Sequence, residues 1–301
     1  MRGPAEPRSP AERSGRSLPR LLTFVVILLV AVAAVAAGEN PRPCRIDKPL
    51  ALLPELPEAS GIALSRRHPK ILWVHNDAGR SLFAVGTEGS VRARIEIGIQ
   101  TIDWEDLAVA ACPQGTCLYI ADIGDNRGGR DRITIYRLPE PGLGDKTTGR
   151  AEAFHATYPD GPHDAEALVV KSADDWFVIT KGRERNIGVY RFPGTPKPDT
   201  SARLERIGSL DSALAEEKIT GANVSPDGRW AAVRTHHSVL FYRTADLAAG
   251  RLQAAQRADV RKLAEPQGEG VALGDDGTVY LAGEGGGRVG SFGQIACTLP
   301  E

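Results

Sequence analysis

Five carboxylates stand at fixed places in a recurring pattern. The stretches "DWEDLAVA" from Asp103, "DAEALVVK" from Asp164 and "QGEGVALG" from Gln267 align so that Glu105, Glu166 and Glu269 fall at one position. Asp103 and Asp164 come two residues earlier, and residues two apart on a strand share a face. Asp103 therefore groups with Glu105, and Asp164 with Glu166. Carboxylate and carbonyl oxygens are the ligands of hard cations, and Ca²⁺ fits such a set best. Glu58, Asp77, Asp122, Asp125 and Glu284 are candidate outer neighbours. Converging like charges raise one another's pKa unless something cationic lies between them. Lys181, Arg183 and Arg234 stand close by in the pattern. The residues thus leave open both a divalent-cation site and a metal-free network of salt bridges.

Other motifs that resemble chemistry fall away on inspection. "YIADIGDNRGGRD", Tyr119 to Asp131, offers acids, an Asn and paired glycines behind an apolar run. The twelfth position from Asp122 is Ile133 and not Glu, which excludes an EF-hand. "GGGRVG", from Gly285, matches G-x-G-x-x-G, but no βαβ unit follows it. No nucleophile elbow and no phosphate loop of the G-x-x-x-x-G-K-[ST] kind is present. His75, His163, His236 and His237 lack the spacing of a zinc site. They read as surface or hydrogen-bonded side chains, and Trp73, Trp104, Trp176 and Trp230 read as packing.

Glu105, Glu166 and Glu269 lie far apart in the chain, so only a particular architecture could bring them together. Beyond residue 40 the sequence consists of short runs rich in Val, Ile, Leu, Trp and Tyr, broken by Gly, Pro, Asp and Asn, the mark of an all-β domain. Five segments share one register, starting at Glu58, Asp103, Asp164, Lys218 and Gln267. Each is followed by a turn and a second strand, namely "ILWVH", "CLYIA", "DWFVIT", "RWAAV" and "TVYLA". Third runs such as "SLFAVG" and "VLFYR", and weaker fourth ones such as "VRARIEI", come next. Four strands per repeat describe a propeller blade. The expectation is an all-β, five-bladed β-propeller, with a sixth blade possible in the long second repeat. In that fold the starts of first strands and the ends of second strands meet at one mouth of the central channel. "ADIGDN" is then one mouth loop among five, beside "HNDAG", "TKGRE", "RTHHS" and "GEGGG".

The chain ends must meet in a closed ring. Cys44 precedes the first repeat and Cys297 follows the last strands, which predicts a Cys44–Cys297 disulfide; Cys112 and Cys117 flank a tight turn and make the second bond. Residues 1–20 carry Arg2, Arg8, Arg13, Arg16 and Arg20, and an apolar run from Leu21 to Ala37 follows. That layout is a secretory signal or an uncleaved membrane anchor. Either places residues 38–301, as a single domain, outside the cytoplasm, where disulfides persist. A formal net charge of −1 gives no reason to expect nucleic acid as a partner. The membrane is expected to be met through the N-terminal segment alone, and the chain to be a monomer.

The combination "EASGIAL", "LWVHNDAG", "DWEDLAVA", "LYIADIGDN", "DAEALVV" and "GEGVAL" resembles bacterial exported propellers of the phytase-like kind. It is also similar to the SdiA-regulated and the strictosidine-synthase or gluconolactonase-like groups. The likeness covers about residues 45–295 and implies calcium in or over the channel, with hydrolysis of phosphate esters or lactones in some members. Carried over by position, it implies Asp103, Glu105, Asp164, Glu166 and Glu269 as metal ligands, and Lys181 and Arg234 as anion contacts. Thr220 replaces the blade-start acid in the fourth repeat, a departure from a multi-calcium phytase site. Two functions follow: a metal-dependent hydrolase of an anionic small molecule, or a non-enzymatic propeller that binds a surface protein or glycan.

Overall fold

The computed structural model describes residues 43–183 and 186–300. The leader and basic segment assigned to residues 1–37 lie outside the described residues. Among the described residues, no helix is long and apolar enough to cross a membrane.

The chain opens with an edge strand, β1 (Cys44–Leu53), and then lays down sheets in order. The first holds β2 (Ala59–Leu64), β3 (Ile71–Asn76), β4 (Ser81–Gly86) and β5 (Val91–Glu96). The second holds β6 (Trp104–Cys112), β7 (Gly115–Asp122), β8 (Ile133–Pro139) and β9 (Glu152–Thr157). In the third are β10 (Ala165–Ser172), β11 (Asp175–Thr180) and β12 (Gly188–Arg191). A short β13 (Ser201–Arg203) crosses back to run parallel to β9, and β14 (Glu205–Ser209) completes the third sheet. β15 (Ile219–Val224), β16 (Trp230–Thr235) and β17 (Ser238–Arg243) begin the fourth. The short helix α1 (Thr244–Ala248) leads to its last strand, β18 (Gln256–Asp259). The fifth has β19 (Gln267–Leu273), β20 (Thr278–Glu284) and β21 (Gly290–Cys297), and takes β1 as its outer strand.

This is a five-bladed β-propeller, and no sixth blade exists among the described residues. Five apolar clusters hold it together, each shared by two consecutive blades. The last of these joins Leu72, Val74 and Phe83 of the first blade to Ala272, Ala282 and Phe292 of the fifth, which closes the ring. Because every blade is covered on both faces, strands such as β3 and β11 read as continuous apolar runs without alternation. The four tryptophans are buried in these interfaces, as the sequence leads one to expect.

Both expected disulfides are present. Cys44 faces Cys297 across the β1–β21 ladder, and Cys112 joins Cys117. The first ties chain positions 253 residues apart; removing so much freedom from the unfolded chain is worth about 5 kcal/mol by chain entropy. Two disulfides and no free cysteine among the described residues suit an oxidising, extracytoplasmic environment.

Candidate functional site

The innermost strands β2, β6, β10, β15 and β19 pack around the axis. Each carries a shift of ladder register at the same place: Ala59/Ile62, Trp104/Asp106, Ala165/Ala167, Ile219/Gly221 and Gly268/Gly270. Such a bulge leaves a residue out of the ladder and re-aims its side chain. The residues so released include Ser60, Glu105, Glu166, Thr220 and Glu269. One position on stand Gly61, Asp106, Ala167, Gly221 and Gly270, where the strands approach most closely. A Cβ on Gly270 would lie 2.1 Å from the Ser60 carbonyl oxygen, and one on Gly61 2.7 Å from the Leu107 nitrogen. Only Asp106 brings a long side chain to this level.

Bulges also free backbone polar groups, and a set of buried side chains takes them up. Asp106 Oδ1 accepts from the Leu107 N–H (2.9 Å), and Oδ2 from those of Leu168 (2.8 Å) and Ala222 (3.0 Å). One carboxyl thereby joins three blades. Burial raises its pKa well above the carboxylate range, against the pull of those three N–H groups. His75 Nε2 accepts from Gly61 N–H (3.1 Å), and its Nδ1 donates to the Asn76 carbonyl (2.8 Å). Burial lowers His75 to about 4, so it is neutral, and with both nitrogens used it offers no metal ligand. Ser60 and Thr220 donate to the Glu105 and Glu269 carbonyls, each at 2.8 Å. Arg234, fully buried, donates through Nη1 to the Gly270 and Ala282 carbonyls and through Nη2 to Glu265. As placed, Arg234 reaches no solvent-facing anion; it mends the fifth blade.

Glu105, Glu166 and Glu269 have no such task and converge in the mouth. One oxygen each from Glu105, Asp164 and Glu166 lie within 4.8 Å of one another, and so do oxygens of Asp77, Asp103 and Glu105. Glu105 belongs to both sets. Lys181 Nζ donates to Glu166 and stands 4.0 Å from Asp164. Arg183 Nε reaches Asp164 at 3.0 Å while its Nη atoms hold Asn126. Burial, then the charges of Glu166, Asp103 and Asp77, drive Glu105 far above the carboxylate range, which keeps it protonated beside Glu166. Burial raises Glu166 too, but Lys181 limits the rise to about 7. Glu269 rises to about 8 by burial, opposed by a 2.6 Å hydrogen bond from Gln267. Asp77, Asp103 and Glu284 are raised by burial and by neighbouring acids. Lys181 is itself raised: burial opposes its charge, but Glu166 and Asp164 outweigh that.

Two of the outer candidates have duties inside their own loop. Asp122 accepts from the Ile102 and Asp103 N–H groups and pairs with Arg130 at 3.0 Å. Asp125 accepts from the Gly129 and Arg130 N–H groups, and its own N–H donates to Asp164 at 2.7 Å. In "ADIGDNRGGRD" the guanidinium of Arg130 donates to Asp122 and to the Gly124 carbonyl, so an arginine holds the loop together. His163 is bonded to Asp160 and Tyr190, and His236 to the Gly268 carbonyl, so the histidines do not gather.

Neither Asp106 nor Arg130 stands out in the motif search. For Asp106 a signal exists: it is the one charged residue in a column otherwise Gly and Ala. For Arg130 none does, because the turn that folds it inward is not encoded by spacing.

No family model matches the chain, and no curated protein matches it. Solved structures do. A PQQ-bound aldose sugar dehydrogenase from Streptomyces coelicolor aligns at 10% identity and TM-score 0.50, over 84% of this chain and 97% of that one. A gluconolactonase from Xanthomonas campestris aligns at 13% and 0.41, over 83% and 91%. Regucalcin from Agrobacterium tumefaciens, a calcium-binding protein, aligns at 14% and 0.41, over 84% and 97%. At such identities the likeness shows the propeller fold alone.

Proposed function

We propose that the mouth binds a divalent cation, Ca²⁺ by the chemistry of its donors, and with it an anionic small molecule outside the cytoplasm. The observation that carries this is the pair of carboxylate sets that share Glu105. They are not equivalent. The Asp164 and Glu166 side is already met by Lys181 and Arg183. On the other side, among the described residues, Asp103 has a 3.4 Å side-chain hydrogen bond from Asn126 and no basic side chain pairs with Asp77, Asp103 or Glu105. Metal and salt bridges therefore divide the mouth between them: the Asp77, Asp103 and Glu105 side fits a hard cation. Glu269 and Glu284 complete the acidic wall.

A bound cation would supply charge neutralisation and polarise a phosphoryl or lactone oxygen. The chain's own part is to place an acid–base group beside it. Glu166, near 7, can hold or release a proton close to neutrality, and Lys181 fixes its orientation. Hydrolysis of a phosphoester or lactone is the reaction class consistent with this arrangement. The Ser60 and Thr220 hydroxyls are both committed to carbonyls, so such a reaction would use water as its nucleophile, and the alternative is a non-enzymatic propeller that binds a surface protein or glycan.

Calorimetric titration of the chelator-stripped chain with Ca²⁺ tests the reading. Wild type should bind, and Asp103→Asn and Glu105→Gln should lose most of the heat. No heat and no thermal shift in the wild type would remove the metal. A phosphoester and lactone panel with and without Ca²⁺ then separates enzyme from binding module.

A further inference from the structure

The rim of the mouth is unevenly charged. At the first register position stand Glu58, Asp103, Asp164, Lys218 and Gln267, so the fourth blade has a base where three others have an acid. Lys218 is exposed and makes no ion pair among the described residues. Its φ of 55° is left-handed, which is uncommon for a residue with a side chain. Ile219, next in the chain, donates its N–H to the Lys181 carbonyl at 3.0 Å, which sets Lys218 beside the turn carrying Lys181 and Arg183. These residues, with Asn126, Gly182 and Glu216, line a cavity of about 480 Å³. Among the described residues that line it, Lys181, Arg183 and Lys218 are cationic and Glu216 is a carboxylate, next to a pocket where carboxylates predominate.

The two compartments share Lys181. Its ammonium donates to Glu166 and stands 4.0 Å from Asp164 while the same side chain lines the cavity, so the field of the acidic pocket extends to the cavity wall. An anion entering the cavity is repelled by that field, and a divalent cation seated among the acids cancels much of it.

We propose that this cavity is an anion site for a phosphate monoester, anchored by Lys218 with Lys181 and Arg183, and that cation and anion bind with positive coupling. The coupling rests on the cation reading above; the cavity's own chemistry does not. A phosphate monoester carries close to two negative charges and several strong acceptor oxygens. Among the described residues, three cationic side chains arriving from separate loops suit it. Lys181 and Arg183 already hold Glu166 and Asp164, so Lys218, which leaves no carboxylate behind, supplies the uncommitted charge. Linkage requires that the anion tighten the cation by the same factor.

The test is calorimetric titration of the full chain with phenyl phosphate, with and without Ca²⁺, in wild type and Lys218→Ala. Ca²⁺ should tighten phenyl phosphate binding about fivefold or more. Lys218→Ala, an exposed change outside the carboxylate sets, should weaken phenyl phosphate about fivefold to tenfold and leave calcium affinity in place. Phenyl phosphate binding that ignores Lys218→Ala, or no binding at all in the calcium-loaded chain, overturns the site. Calcium that binds without altering phenyl phosphate affinity overturns the coupling alone. Absence of any calcium heat defeats the cation reading and the coupling together, and Lys218-dependent phenyl phosphate binding would still support the anion site.

Discussion

Asp106 and Glu105 are neighbours in sequence, both buried, and both have pKa values pushed upward by desolvation. Yet they belong to different machines. Asp106 points to the axis and accepts three N–H bonds from three blades. Glu105 points to the mouth, where its neighbours are other acids and one distant lysine charge. Burial and a perturbed pKa therefore do not separate a structural carboxyl from a functional one. What separates them is whether the side chain has a backbone group to satisfy. At the axis every bulge needs such a partner, and Ser60, His75, Asp106, Thr220 and Arg234 provide them. At the mouth, among the described residues, the Glu105, Glu166 and Glu269 carboxyls accept no backbone N–H and remain for something else, although Asp164 takes that of Asp125.

The sharpest way to break this contrast is Asp106→Leu. It leaves three buried N–H groups unpartnered, and at roughly 1–3 kcal/mol for each unsatisfied group the loss should be about 3–9 kcal/mol. Denaturant unfolding should show a large fall in midpoint. Stability unchanged by this substitution would mean that the axis is held by packing alone. Next in size is Gly270→Ala, whose Cβ would meet the Ser60 carbonyl at 2.1 Å. Backbone cannot step aside easily, so about 1–3 kcal/mol or more should be lost. The corresponding mouth substitution is Gly124→Ala. Its Cβ meets Glu105 Oε1 at 2.1 Å and Asp103 Oδ2 at 2.6 Å, both movable side-chain ends. It should displace those oxygens, cutting calcium affinity about tenfold or more while costing less stability than Gly270→Ala.

Acidity sharpens the comparison further. Glu166 and Glu269 are raised from 4.5 to about 7 and about 8 in the folded chain. The native state then binds protons more tightly than the unfolded one. Their contribution to stability is fully present below about pH 4.5 and is lost as pH climbs through 7 and 8. Without metal, thermal unfolding should move to lower temperature between pH 5.5 and 8.5, a loss on the order of 5 kcal/mol. Ca²⁺ should reverse that slope, because it binds the deprotonated form. A metal-free chain equally stable at both pH values would show that the mouth acids are not strained.

The propeller was legible because its blades repeat, and repetition survives even where single strands are weakly patterned. The outer strand of the last blade escaped that reading. β1 is an edge strand with mostly exposed residues, so "CRIDKPLALL" shows no apolar alternation. Cys44 alone pointed to ring closure, and it did so through geometry and not through strand pattern. In the mouth, the aligned acids were visible as columns of the repeat, and Glu105, Glu166 and Asp164 do meet. Arg234 shared those columns' logic but turned inward, because Gly268 leaves room for its guanidinium: a Cβ there would lie 2.2 Å from Nη2. Spacing tells which end of a blade a residue occupies; it does not tell whether the side chain is used by the backbone.

The smallest expected effect on stability is at Glu105 itself. Glu105→Gln removes no backbone partner and takes away an acid that is protonated in the metal-free fold. A neutral amide replaces a neutral carboxyl of the same shape, so stability should change by no more than about 0.5–1 kcal/mol, and toward greater stability above pH 7. Calcium binding should nevertheless collapse, since the side chain is common to both carboxylate sets. A stability loss as large as that of Asp106→Leu would place Glu105 with the axis residues, and the division between a structural axis and a functional mouth would fail at the residue on which it turns.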